Sequence, residues 1–200
     1  MSFTQMDLGD LEDFLDQSGT TRYINVVRGN SRPGQVALRH DVDHSIAKAH
    51  SFAAWEYSRG FVSTYYILTT ADYYLDPKLG DYLNDMIEWG HEIGFHNDAL
   101  CHMDGDVVGA AAYITQEKRA IEDLFDHEYS LRGIADHGGA PHSNGDIWNH
   151  YTPEYFGFEY EAYQLQKTAN TYISDNQGKW RSPLKHAQTY MLVHPTWWPV

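Results

Sequence analysis

The sequence predicts an α/β protein, a small distorted (β/α) barrel of about six or seven strands in a single domain spanning residues 1–200. Three observations carry this expectation. Stretches of alternating apolar and polar residues take turns with stretches of 3.6-residue periodicity, the pattern of parallel strands joined by helices. Two hundred residues bury one substantial core but fall short of the ~250 of a regular eight-stranded barrel. No glycine-rich phosphate loop follows any strand, which removes support for an open nucleotide-binding sheet.

Taken in order, residues 3–15 form an amphipathic opening helix laid across one end. Residues 36–43 read as a strand, with Ser45 as N-cap of a helix whose stripe is Ile46, Ala49, Ala53 and Tyr57 and whose stop is Gly60. Residues 61–68 form the next strand. Leu79, Tyr82, Leu83, Met86 and Ile87 mark a helix closed by Gly90, before a strand over 91–96. The longest helix carries Val107, Ala110, Ala111, Ile114, Ile121, Leu124 and Phe125. A strand at 131–137 leads into a loop over 138–151 holding one short helix. The remaining pattern is strand-like, best at 171–175 and 189–194.

Composition narrows the function classes. A formal charge of −14 argues against nucleic acid or an anionic membrane as partner, since both need clustered Lys and Arg. No apolar run reaches the roughly 20 residues of a membrane span. Residues 1–16 hold five acidic side chains and no basic one, unlike a secretory signal. The single cysteine, Cys101, leaves no internal disulfide and points to a reducing cytoplasm.

Chemistry gathers at strand ends. In 36–43 the parity of a strand sets Arg39, Asp41 and Asp43 on one face and Val36, Leu38 and Val42 on the other, where His40 is the exception. In 91–96, Glu92, Gly94 and His96 oppose Ile93 and Phe95. Gly133 and Ala135 are in phase with His137, and Tyr190 and Leu192 with His194. Four strands therefore deliver an aspartate pair and three histidines to one rim. The bland alternatives, an aspartate helix cap and satisfied core histidines, account for each residue alone but not for four coincident ends. One carboxylate with two imidazoles and open positions is the catalytic form of a metal site, leaving a spare carboxylate as general base. No GxSxG elbow surrounds Ser45 or Ser143, so a serine hydrolase is not expected.

At these residues the chain resembles a known family. ALRHDVDHS (37–45) resembles the first motif of the polysaccharide deacetylases, carbohydrate esterases with a distorted (β/α) barrel, and GHEIGFHND (90–98) resembles the second. The likeness continues through ADHGGAPHSNGDIW (135–148), YISDNQGKWR (172–181) and MLVHPTWW (191–198), and is nearest to deacetylase-like proteins of bacterial surface-polysaccharide gene clusters. It implies Asp41 as catalytic base, Asp43 and His96 as metal ligands, and His194 as the acid that protonates a leaving amine. Asp175 would tune His194, and Arg181 or Arg39 would orient the base.

The sequence departs from the family pattern at one point. The family's second metal histidine lies four residues after the first, and here that position is Leu100. His137 is the favoured third ligand and His102 the alternative. The implied activity is removal of an N-acetyl or similar N-acyl group from a sugar, with a divalent ion, Zn²⁺ expected, as cofactor. A carbohydrate is the expected partner, with Trp148, Trp180, Trp197 and Trp198 as stacking surfaces or as packing. Hydrolysis of another C–N bond (formamide, amidine, cyclic ureide) and an inactive carbohydrate- or partner-binding role are the alternatives.

Overall fold

The computed structural model describes residues 4–5, 7–167, 171–175, 179–180 and 189–200. Its strands are β1 (Thr4–Gln5), β2 (Thr20–Thr21), β3 (Val36–Val42), β4 (Thr64–Leu68), β5 (Glu92–Asn97), β6 (Gly133–Asp136), β7 (Tyr160–Glu161), β8 (Thr171–Ser174), β9 (Lys179–Trp180) and β10 (Thr189–Val193). Its helices are α1 (Leu8–Ser18), α2 (Tyr23–Val27), α3 (Ile46–Ser58), α4 (Leu79–Glu88), α5 (Ala99–His102), α6 (Val107–Glu122) and α7 (Ala162–Gln166).

Seven strands run in the order β7-β6-β5-β4-β3-β10-β8, every neighbouring pair parallel, with β2 pairing the start of β3. This sheet curls into a half-barrel with flanking helices. β1 and β9 form a separate antiparallel pair.

The helices form where the sequence allows. Ser45 caps α3 by accepting the Lys48 N–H, and Ile46, Ala49 and Ala53 are buried. Tyr57, expected on that stripe, is 54% exposed; Phe52 and Glu56 are buried in its stead. α6 ends at Glu122, so Leu124 and Phe125 pack on the core from beyond the helix. α1 starts at Leu8, later than expected, because Asp7 and Asp10 form a capping box there.

Strand parity sorts the core into two faces. Outside, Val36 and Leu38 of β3 join Met191 and Val193 of β10 beneath Leu11, Phe14 and Leu15 of α1 and Phe52 of α3. Inside, Ala37, Tyr66, Ala135, Tyr160 and Tyr190 meet Tyr23 and Ile24 of α2. Rings this large fit only because neighbouring positions lack side chains. A Cβ on Gly94 would come 2.6 Å from the Tyr66 ring, and one on Gly133 would overlap the Tyr160 ring.

α2 closes the N-terminal end of the half-barrel. Its first N–H groups, orphaned by helix geometry, donate to Thr64 Oγ1 (3.0 Å) and Glu92 Oε2 (3.1 Å) at the starts of β4 and β5. The carboxyl-terminal strand ends are left for chemistry.

His40 has a structural explanation. It points outward into the α3 interface, where Nδ1 meets Val193 O at 3.1 Å and Nε2 meets Glu56 Oε1 at 2.8 Å. Ser63 and Tyr65 donate to the other Glu56 oxygen, at 2.7 and 2.8 Å. All four side chains are inaccessible to solvent.

Candidate metal centre

Asp43, one residue past β3, His96 near the end of β5, and His137, one residue past β6, offer ligand atoms that all lie within 4.8 Å of one another. Such a group could hold a metal ion. The sheet makes this meeting: β3, β4, β5 and β6 are neighbours in parallel register, so their carboxyl ends share one rim.

The donor chemistry fits a cation. His96 Nδ1 lies 2.9 Å from Ala135 O, and a carbonyl oxygen only accepts. In the neutral ring Nδ1 therefore carries the proton and Nε2 presents a lone pair. That lone pair faces Asp43 Oδ1 at 3.3 Å, a buried oxygen that makes no hydrogen bond. Two acceptors in contact need a positive charge between them. His137 Nδ1 faces Asp98 Oδ1 at 3.3 Å, which in the neutral ring frees its Nε2, and Asn144 and Thr70 donate to Asp98. With a proton instead of an ion between the two, burial opposes ionisation of Asp43, but the hydrogen bond and charge of a protonated His96 first, then of His194, outweigh it and hold the carboxyl down to about 2. His137 is raised above its usual range, by its hydrogen bond to Asp98 above all.

Two further pairs flank the group. Asp41 accepts a bidentate ion pair from Arg39, at 2.6 and 2.8 Å, and its Oδ2 is 3.6 Å from His96 Nε2. Arg39 is fully buried, with Tyr163 and Tyr66 against its guanidinium. Burial works to raise the Asp41 pKa, yet the charges of Arg39 and then His96 bring it below the usual carboxylate range. On the other side, His194 Nδ1 lies 2.6 Å from Asp175 Oδ1, and its Nε2 points at Asp43 Oδ2 at 3.7 Å. Burial alone would discharge His194; its bond to Asp175 overrides this and raises its pKa. Asp175 is itself fixed by the His194 N–H and the Trp198 indole.

Of the remaining sequence candidates, His102 is exposed, packs at a tilt against Tyr113 with ring centroids 4.6 Å apart, and does not enter the group. Arg181 and the Trp180 side chain lie outside the described residues. Trp198 is 3% exposed and packs in the core, so it offers no stacking surface. Trp197 lies 4.3 Å from His194, ring to ring, and Trp148 donates to Asp136 Oδ2 at 2.7 Å. Sequence reasoning missed Asp98 and the Asp136–Glu161 carboxyls near Trp148. Asp98 shares the parity of His96 at the strand's exit, a signal that could have found it. Glu161 sits in a two-residue strand too short to read. Among the described residues, no helix is long and apolar enough to cross a membrane.

No protein-family model and no curated protein sequence matches this chain. Solved structures do. A family 4 carbohydrate esterase from Bacillus anthracis superposes with a TM-score of 0.52 at 12% identity, covering 98% of this chain and 84% of the esterase. The peptidoglycan deacetylase PdaC from Bacillus subtilis gives 0.51 at 15% identity, over 80% of this chain and 74% of its own. The chain shares its fold with these two solved proteins.

Proposed function

We propose that the protein is a metal-dependent hydrolase that removes an N-acetyl or similar N-acyl group from a sugar. The observation that carries this reading is the convergence of Asp43, His96 and His137 within 4.8 Å, between an arginine-paired aspartate and an aspartate-paired histidine. These three side chains would hold the ion, Zn²⁺ by their donor types. Bound there, the ion supplies Lewis acidity, drawing the pKa of water towards about 7 and polarising the acyl oxygen.

The chain's own residues do the rest. Asp41 is kept ionised by Arg39 and accepts the proton of the attacking water. His194, held charged by Asp175, donates the proton that lets the amine depart. The two groups have their pKa values pushed apart in the sense the division of labour requires. Arg39 fixes the plane of the Asp41 carboxylate, a role within reach of its two bonds. The compartment in this reading is the cytoplasm, in keeping with the lone cysteine.

The test is acid release from N-acetylglucosamine oligomers by zinc-loaded protein, with Asp41→Asn as control. Acetate release that disappears on chelation and in the variant supports the assignment. Formate or ammonia from other C–N substrates, without acetate, would rename the bond that is hydrolysed. No hydrolysis of any of them by zinc-loaded protein would remove the reading.

A further inference from the structure

Beside His137 the surface opens into a cleft of about 370 Å³, room for one sugar ring, whose lining beyond His137 has no part in the deacylation chemistry. Asp136, Trp148, Glu161, Tyr163 and Lys167 line it with His137. Asp136 and Glu161 are 9% and 2% exposed. The hydrogen-bond donors on them are neutral. Asn97 and Trp148 each reach Asp136 at 2.7 Å, and the Tyr163 and Gln164 N–H groups reach Glu161 at 2.7 and 2.8 Å.

A carboxylate offers about four acceptor positions, so each keeps roughly two open. Neither forms an ion pair among the described residues. Arg39, a buried cation of the sheet, is bonded through two nitrogens to Asp41. Two buried carboxyls facing a cavity, with the exposed Lys167 at its lip and Arg39 acting only at a distance, are costly until a closer cation or strong donor arrives.

We infer that this cleft binds an amino-sugar unit carrying a free ammonium group, next to the unit being deacylated, with Asp136 and Glu161 receiving the ammonium and Trp148 bordering the ring. This inference rests on the deacylase reading for its neighbour, but the cleft's own chemistry sets its preference. Ammonium-to-carboxylate bonds are the strong, charge-assisted kind. A uronate or phosphate in the same place would meet two like charges. The substrate class is thereby a partly deacylated or diamino saccharide, not an acidic one.

Binding is measured by calorimetry and by NMR line shifts, on metal-free and on zinc-loaded protein, with two probes. One is the glucosamine disaccharide; the other is cellobiose, the same skeleton without amines. The wild type should prefer the glucosamine disaccharide by tenfold or more in both metal states. Glu161→Gln should erase most of that preference, and Lys167→Glu, at the exposed lip, should strengthen glucosamine binding severalfold. Because Lys167 is exposed and unpaired among the described residues, its variant tests the idea even if Glu161→Gln folds poorly. Equal binding of the two probes, or indifference to both substitutions, overturns the inference. Selective, Glu161-dependent binding by a protein that hydrolyses nothing would uphold the cleft and remove the deacylase reading.

Discussion

Asp175 Oδ1 stands 2.6 Å from Nδ1 of His194, and the opposite nitrogen of that ring faces Asp43 at 3.7 Å. The imidazole thus has one nitrogen committed to a buried carboxylate and the other presented to the rim. Asp175→Asn keeps the shape and removes the charge that holds the His194 proton. We expect kcat to fall about 10–100-fold. A proton bound more weakly is lost at lower pH, so the alkaline limb of the kcat/KM profile should move down. An unmoved limb would show that His194 is not the acid.

Zinc titration separates the two candidate third ligands. His137→Ala should weaken zinc by more than the about 10–100-fold expected for losing an outer partner, for which Asp98→Asn is the reference. His102→Ala should leave the isotherm unchanged, since its ring packs against Tyr113 and is not part of the group. The reverse ranking would transfer the role to His102.

Zinc should also stabilise the fold, because it relieves two acceptors held in contact. At a free concentration of 100 Kd the gain is about 2.7 kcal/mol. Differential scanning calorimetry should show a zinc-dependent rise in Tm that EDTA reverses and Asp43→Ala abolishes.

Asp41→Asn carries a structural penalty besides its catalytic one. It strips the fully buried Arg39 of its counter-ion, which costs about 3–5 kcal/mol in such settings. Denaturant unfolding should show the loss, and activity must be read below the lowered melting range. A variant of wild-type stability would mean that Arg39 finds another partner.

Glu161 gives the fold a pH dependence of defined sign. Its pKa is raised from 4.5 to about 7, so its contribution is present in full below about 4.5 and lost as pH climbs through 7. Between pH 5 and 8, the wild type should lose more stability than Glu161→Gln, which has no charge to bury. Parallel Tm curves would deny the shift.

The fold and rim were legible because strand parity is a strict rule. Arg39, Asp41 and Asp43 alternate with Val36, Leu38 and Val42, and one slip would have turned all of them over. His40 shows where the rule falls short. It shares the outer face with the aliphatics, and only the fold reveals that Glu56, sixteen residues away on α3, meets its Nε2. Tyr57 was misplaced for the same reason: periodicity names a stripe, not which edge of it meets the sheet. The Asp136–Glu161 cleft depends on β7, whose two residues carry no period at all. Register between distant short strands is a tertiary fact, and local sequence holds no trace of it.

The helix lodged against Thr64 and Glu92 stops the half-barrel at the amino ends of its central strands. Under the deacylase reading proposed above, a sugar would therefore approach from the opposite, carboxyl-terminal rim, and a long glycan would lie across that rim instead of running down the interior of the sheet.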